Sequence, residues 1–112
     1  MAAAAKKVFT HSVVAVAALV QARAVTGLGT LPAAGARSLG FTDFAAAAGE
    51  RVSVGALGST IAEAGAAITV DVLLEVDALG RVVPKNAGVA VARALQAASG
   101  AGQMVEVLLI PN

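Results

Sequence analysis

The sequence predicts an all-β fold: a small antiparallel barrel or sandwich of about seven to nine strands. Three features carry this. From Ile68 to Asp77 apolar residues alternate with period two, not 3.6. Short runs rich in β-branched residues recur along the chain, each fenced by Gly, Pro or Asn. A tight D-x-x-G turn, Asp77-Ala-Leu-Gly80, joins two of those runs. The length of 112 residues suits one domain.

The N-terminal residues 1–9 read as an extended arm, with Lys6-Lys7 preceding Val8-Phe9, and residues 10–112 as a single β-rich domain. Val8–Val16 is assigned to a strand, although Val13–Ala24 would serve as well as one short Ala-rich helix. Arg51–Gly55, Ser59–Ala62, Val89–Leu95 and Gln103–Ile110 are further strands. Ile68–Asp77 is one strand, or two short ones sharing a face, and Arg81-Val-Val83 completes a hairpin after Gly80. In Val89–Leu95 one face carries Ala90, Ala92 and Ala94, which allows another layer to approach closely. Ser38–Val54 and Val91–Val107 look alike at an offset of about fifty residues and read as equivalent hairpins of one barrel. Two copies do not make a solenoid.

Composition excludes several functions. A formal charge of +1, with 3% aromatic residues and neither Trp nor Tyr, provides neither a basic surface for phosphates nor a stacking platform for bases, so direct nucleic-acid binding is not expected. The longest apolar run, Val13–Val20, is too short to cross a bilayer, and no membrane partner is expected. Lys6-Lys7, the apolar stretch behind them and Ala22-Arg23-Ala24 imitate a secretory signal, but Thr10, His11 and Ser12 interrupt it. There is no Cys, and a lone His11 cannot build the usual zinc site or a catalytic triad. About a quarter of the residues are Ala, so each buried side chain removes little area from water, and the domain is expected to lean on a partner.

Chemistry is sparse. Asp71, Glu75 and Asp77, if all on one strand, would lie on one face about 7 Å apart. That spacing could serve a small hydrolase or ligand-binding barrel, but a solvated face that discourages edge pairing is the simpler reading. Gly27-Leu-Gly29 and Gly100-Ala-Gly102 complete no phosphate loop and read as turns. The five arginines are scattered singly, and Phe9, Phe41 and Phe44 read as core or interface anchors. No catalytic residue, metal site or cofactor is expected.

Four segments in order, Gly49-Glu-Arg-Val-Ser-Val54, Gly58–Ile68, Asp77-Ala-Leu-Gly-Arg-Val-Val83 and Val91–Ile110, resemble the capsid cement, or head decoration, proteins of tailed bacteriophages. The likeness extends weakly to Arg23–Gly27 and covers about two thirds of the chain. One departure stands after Ile68, where the family usually has Gly and this sequence has Thr69-Val70-Asp71. The resemblance implies a virion protein on the outer surface of the capsid, bridging major capsid subunits and stabilising the expanded shell. Its implied partners are the major capsid protein and neighbouring copies of itself, a trimer being one arrangement, as is common among unrelated decoration proteins. Lys6, Lys7, Val8 and Phe9 are the candidate capsid contacts, expected to dock by strand addition.

Overall fold

A computed structural model describes residues 5–112, so Met1–Ala4 of the expected arm lie outside the described residues. The fold is all-β and antiparallel: β1 (Lys6–Val14), β2 (Ala24–Val25), β3 (Gly40–Thr42), β4 (Arg51–Glu63), β5 (Leu73–Val76), β6 (Val82–Pro84), β7 (Ala92–Ala94) and β8 (Met104–Leu109). The strands form a nearly closed barrel in the order β2-β3-β4-β8-β7-β5-β6, with β1 on β4. No helix forms among the described residues, and the Ala-rich helix weighed for Val13–Ala24 is absent. Residues 6–14 instead extend along β4, because Val13 and Ala15 alternate into the core with period two.

Most strands are shorter than the sequence implied, and one is longer. Arg51–Gly55 and Ser59–Ala62 belong to a single 13-residue strand, whose pairing with β1 slips in register around Phe9. Ile68–Asp77 is not one strand. Ile68 makes an isolated bridge to Ala98, and β5 starts only at Leu73. Between them Asp71 takes φ 73°, which ends the extended run; Asp is among the few non-glycine residues that tolerate this region, so it fills the turn at the family's departure point. The Asp77–Gly80 hairpin forms as expected, pairing Val76 with Val82. The Ala face of β7 is also as expected: Ala92 and Ala94 are fully buried while Arg93 is exposed. β8 is a central strand between β4 and β7, with Val105, Val107 and Leu109 buried and Met104, Glu106 and Leu108 on its other face.

The resemblance between Ser38–Val54 and Val91–Val107 extends to every strand of the barrel except β6. Leu19 and Ala46 exchange two backbone hydrogen bonds, as do Ile68 and Ala98. Ala22 donates to Thr42 and Thr42 to Arg23, just as Asp71 donates to Ala94 and Ala94 to Val72. Ala22, like Asp71, has positive φ. A small core of Val13, Ala15, Leu19, Val25, Ala46, Val52 and Val54 recurs 49 to 53 positions later as Ala62, Ala64, Ile68, Leu74, Ala98, Val105 and Val107. Exchanging the halves turns the pair Lys6↔Ser59 into Thr10↔Gly55, and both pairs exist. The repeats are therefore related by a local twofold that passes between β1 and β4.

The small side chains do not leave a loose interior. The accessible surface of 5451 Å² matches the roughly 5,500 Å² expected of a compact chain of 10.8 kDa. The radius of gyration, 12.3 Å, is below the roughly 13 Å typical at this length.

Candidate functional site

β1 is unlike the other strands. All of its residues except Val13 are exposed, so Lys6–Ser12 stand clear of the core on both faces. Among the described strands it pairs only with β4, which leaves its second edge open. An exposed edge of this length is a template for a further strand. The four candidate contact residues lie here, already added to the chain's own sheet. Val8 is 80% and Phe9 48% exposed. Phe9 stacks on His11 with ring centroids 6.2 Å apart, so the lone histidine is a surface residue. The Lys6 amide donates to Ser59 Oγ at 3.0 Å. Lys7 is the most constrained: its stem crosses Gly55, and Nζ reaches Asp43 Oδ1 at 2.6 Å, while Asp43 Oδ2 accepts from Ser53 Oγ.

Two shallow cavities flank this strand. One, of about 280 Å³, is lined by Lys7, Gln21, Asp43, Thr60, Ile61 and Met104 among others. The second, of about 290 Å³, is a largely apolar groove formed by Phe9, Leu39, Ala56, Leu57, Ile110 and Pro111 with Ser38 and Asn112. There the Ser38 amide donates to Asn112 Oδ1, which ties the C-terminal residues over the groove's end.

The three acidic residues do not converge. Only Glu75 is in β5; Asp71 precedes it in the turn and Asp77 follows it. The carboxylates of Glu75 and Asp77 are committed to backbone amides. Glu75 Oε1 accepts the amides of Asn86 and Gly88 at 2.5 and 2.9 Å, and these bonds hold its pKa below the ordinary 4.5. Asp77 Oδ1 accepts the amides of Leu79 and Arg81, and Oδ2 pairs with Arg81 Nε at 2.9 Å. Neither cavity is lined by any of the three. No cluster among the described residues could hold a metal ion. Glu75 and Asp77 fasten the backbone around them.

What the sequence did not single out is the amount of apolar surface. Sixteen large apolar side chains are at least a third exposed among the described residues, including Val14, Val16, Leu28, Phe44, Leu79 and Leu108. Apolar residues exposed singly are ordinary, and these are spread over β1, β4, β5, β8 and the connections between strands.

No curated protein sequence matches the chain. Among solved structures, the fold is similar to the N base of the head fiber gp8.5 of bacteriophage phi29, with a TM-score of 0.74 at 18% identity over 91% of this chain and 93% of that one. The family model for phage cement proteins matches residues 3–109. A structure poor in reactive groups and rich in exposed apolar side chains fits that match, and the chain belongs to the phage cement protein family, structural proteins of the phage head associated with the capsid surface.

Proposed function

We propose that this protein binds the outer face of the assembled head, bridges neighbouring major capsid subunits and so stabilises the expanded shell. The observation that carries the reading is the one strand exposed on both faces with an open edge, set in a molecule whose core is already closed. Apolar surface that the fold does not need is available to a partner. Lys6, Val8 and Phe9 contribute directly, the open edge of β1 accepting an extended segment of a shell subunit. Lys7 acts through its ion pair with Asp43, which fixes the strand that carries the others. Neighbouring copies are the second partner, with a trimer as the candidate arrangement. A standard interface buries about 1,600 Å² in total, an area that a chain exposing 5451 Å² can supply. A lattice multiplies the effect, since each copy that holds one subunit meets the next at high effective concentration.

The test is cosedimentation of the purified chain with expanded heads assembled without it. Saturable binding, with bound heads surviving a higher temperature than bare ones, is the expected result. Heads that bind the chain without gaining heat resistance would remove the stabilising role, and no binding would remove the proposal.

A further inference from the structure

Positive and negative charges are used differently by this fold. Six of the seven carboxylates accept a hydrogen bond from the chain itself: Asp43, Glu50, Glu63, Glu75, Asp77 and Glu106. Only three of the eight cations, Lys7, Arg23 and Arg81, form ion pairs among the described residues. One of the others stands at the centre of a sheet face. Arg93 in β7 points outward between two leucines, paired across the strands with Leu73 of β5 on one side and Leu108 of β8 on the other. The leucines are 40% and 41% exposed. Directly opposed side chains on antiparallel strands lie about 5 Å apart, so the three form one continuous row. Lys85 extends the row beyond Leu73, to whose carbonyl its amide donates at 2.8 Å. The two carboxylates diagonal to Arg93 are turned away from it. Glu106 of β8 accepts from Ser59 Oγ of β4 at 2.7 Å, and Glu75 of β5 accepts the amides of Asn86 and Gly88 beyond β6. Asp71, in the turn before β5, forms no ion pair with it. Among the described residues the guanidinium is therefore free.

We infer that this face of β5, β7 and β8 binds an acidic segment of a shell subunit, with a carboxylate on the Arg93 guanidinium and apolar side chains against Leu73 and Leu108. The inference rests on the proposed function and adds a contact on the face of the sheet to the one at the edge of β1. Charge selects the occupant: what the row leaves unpaired is positive, so the complementary surface carries carboxylates. Arginine suits the task because its planar fork of donors engages both oxygens of a carboxylate. The leucines matter as much, since they exclude water from a seated ion pair, as the surroundings of an interface anchor do. A phosphate backbone fits less well. Arg93 and Lys85 stand two strands apart, about 10 Å, and the leucine between them would set an apolar side chain against that backbone.

The experiment uses the full chain and expanded heads assembled without it, with binding measured at low and high salt. Arg93→Gln removes the charge, Arg93→Glu reverses it, and Arg93→Lys keeps it without the fork. Arg51→Glu, at an exposed cation of β4 outside the row, is the control. Unchanged melting of the free variants establishes that they fold. Arg93→Gln should bind about tenfold more weakly than wild type, the loss expected when one charged hydrogen-bonded contact is removed. Arg93→Glu should bind more weakly still, Arg93→Lys between Arg93→Gln and wild type, and Arg51→Glu like wild type. Added salt should weaken wild-type binding more than that of Arg93→Gln. Arg93 variants that bind as wild type does would overturn the inference and leave the proposed function standing. Heads that bind none of the chains would remove the proposed function, and this contact with it. An equal loss in Arg51→Glu would assign the effect to overall charge instead of this face. Capture of duplex DNA through Arg93, with head binding unaffected by its substitution, would assign the row to phosphate.

Discussion

Gly40 shows how the Ala- and Gly-rich sequence is used. A Cβ at this position in β3 would lie 2.0 Å from the carbonyl oxygen of Gly55 in β4, a backbone atom that cannot turn aside. Gly40→Ala should therefore destabilise the protein by about 2–3 kcal/mol or prevent folding, within the range of overpacking penalties. Gly27, with nothing within 4 Å of its would-be Cβ, is the control: Gly27→Ala should change the melting midpoint little. Glu75 supplies a pH dependence. Its pKa is lowered on folding by the amides of Asn86 and Gly88. A lowered carboxyl pKa contributes stability that is present above the unfolded value and is lost as pH falls through the folded one. Glu75→Gln should therefore melt below wild type at pH 7, and the difference should shrink as pH drops below 4.5, followed by thermal melts across pH 3–7.

The first strand is the element on which the functional reading turns. Thr10–Val14 hold the register with Gly55–Arg51, while Lys6–Phe9 lie across the slip and contribute no buried side chain. A chain beginning at Thr10 is predicted to fold cooperatively with a lower midpoint and to lose most of its binding to heads. Val8→Asp with Phe9→Asp, at positions 80% and 48% exposed, should leave the melting midpoint nearly unchanged and weaken head binding, because charges would then have to be desolvated at the contact. Elements differed in how far they could be read in advance. The hairpin at Asp77–Gly80 was legible because its turn residues act locally through their own backbone. The length of β4 was not, since Gly55 and Gly58 resemble breaks and the strand continues through them only because β1, β3 and β8 pair along it. Asp71 hid the end of a strand: alternation from Ile68 to Asp77 is unbroken in sequence, and only its positive φ reveals the turn. The carboxylate cluster dissolved for that reason.

Across the whole molecule, duplication explains why so unvaried a sequence specifies one barrel. Half of it was visible, since Ser38–Val54 and Val91–Val107 share Gly-Glu and Gly-Gln before matching strands. The other half was not: Val13, Ala15 and Leu19 share only hydrophobicity with Ala62, Ala64 and Ile68, and their equivalence lies in backbone pairing. The candidate contacts at Lys6–Phe9 were singled out from the sequence, whereas the number of exposed apolar side chains was not. The accessible surface of the folded chain is nonetheless ordinary for its mass. The exposed apolar side chains remain, and they are the reason to place the molecule against a repeating surface.

The most direct measurement is a reconstruction of heads with and without this protein. The account predicts added density on the outer face, each copy touching at least two major capsid subunits, with β1 at a contact. Density confined to the interior or the tail, or a copy resting on a single subunit, would contradict it.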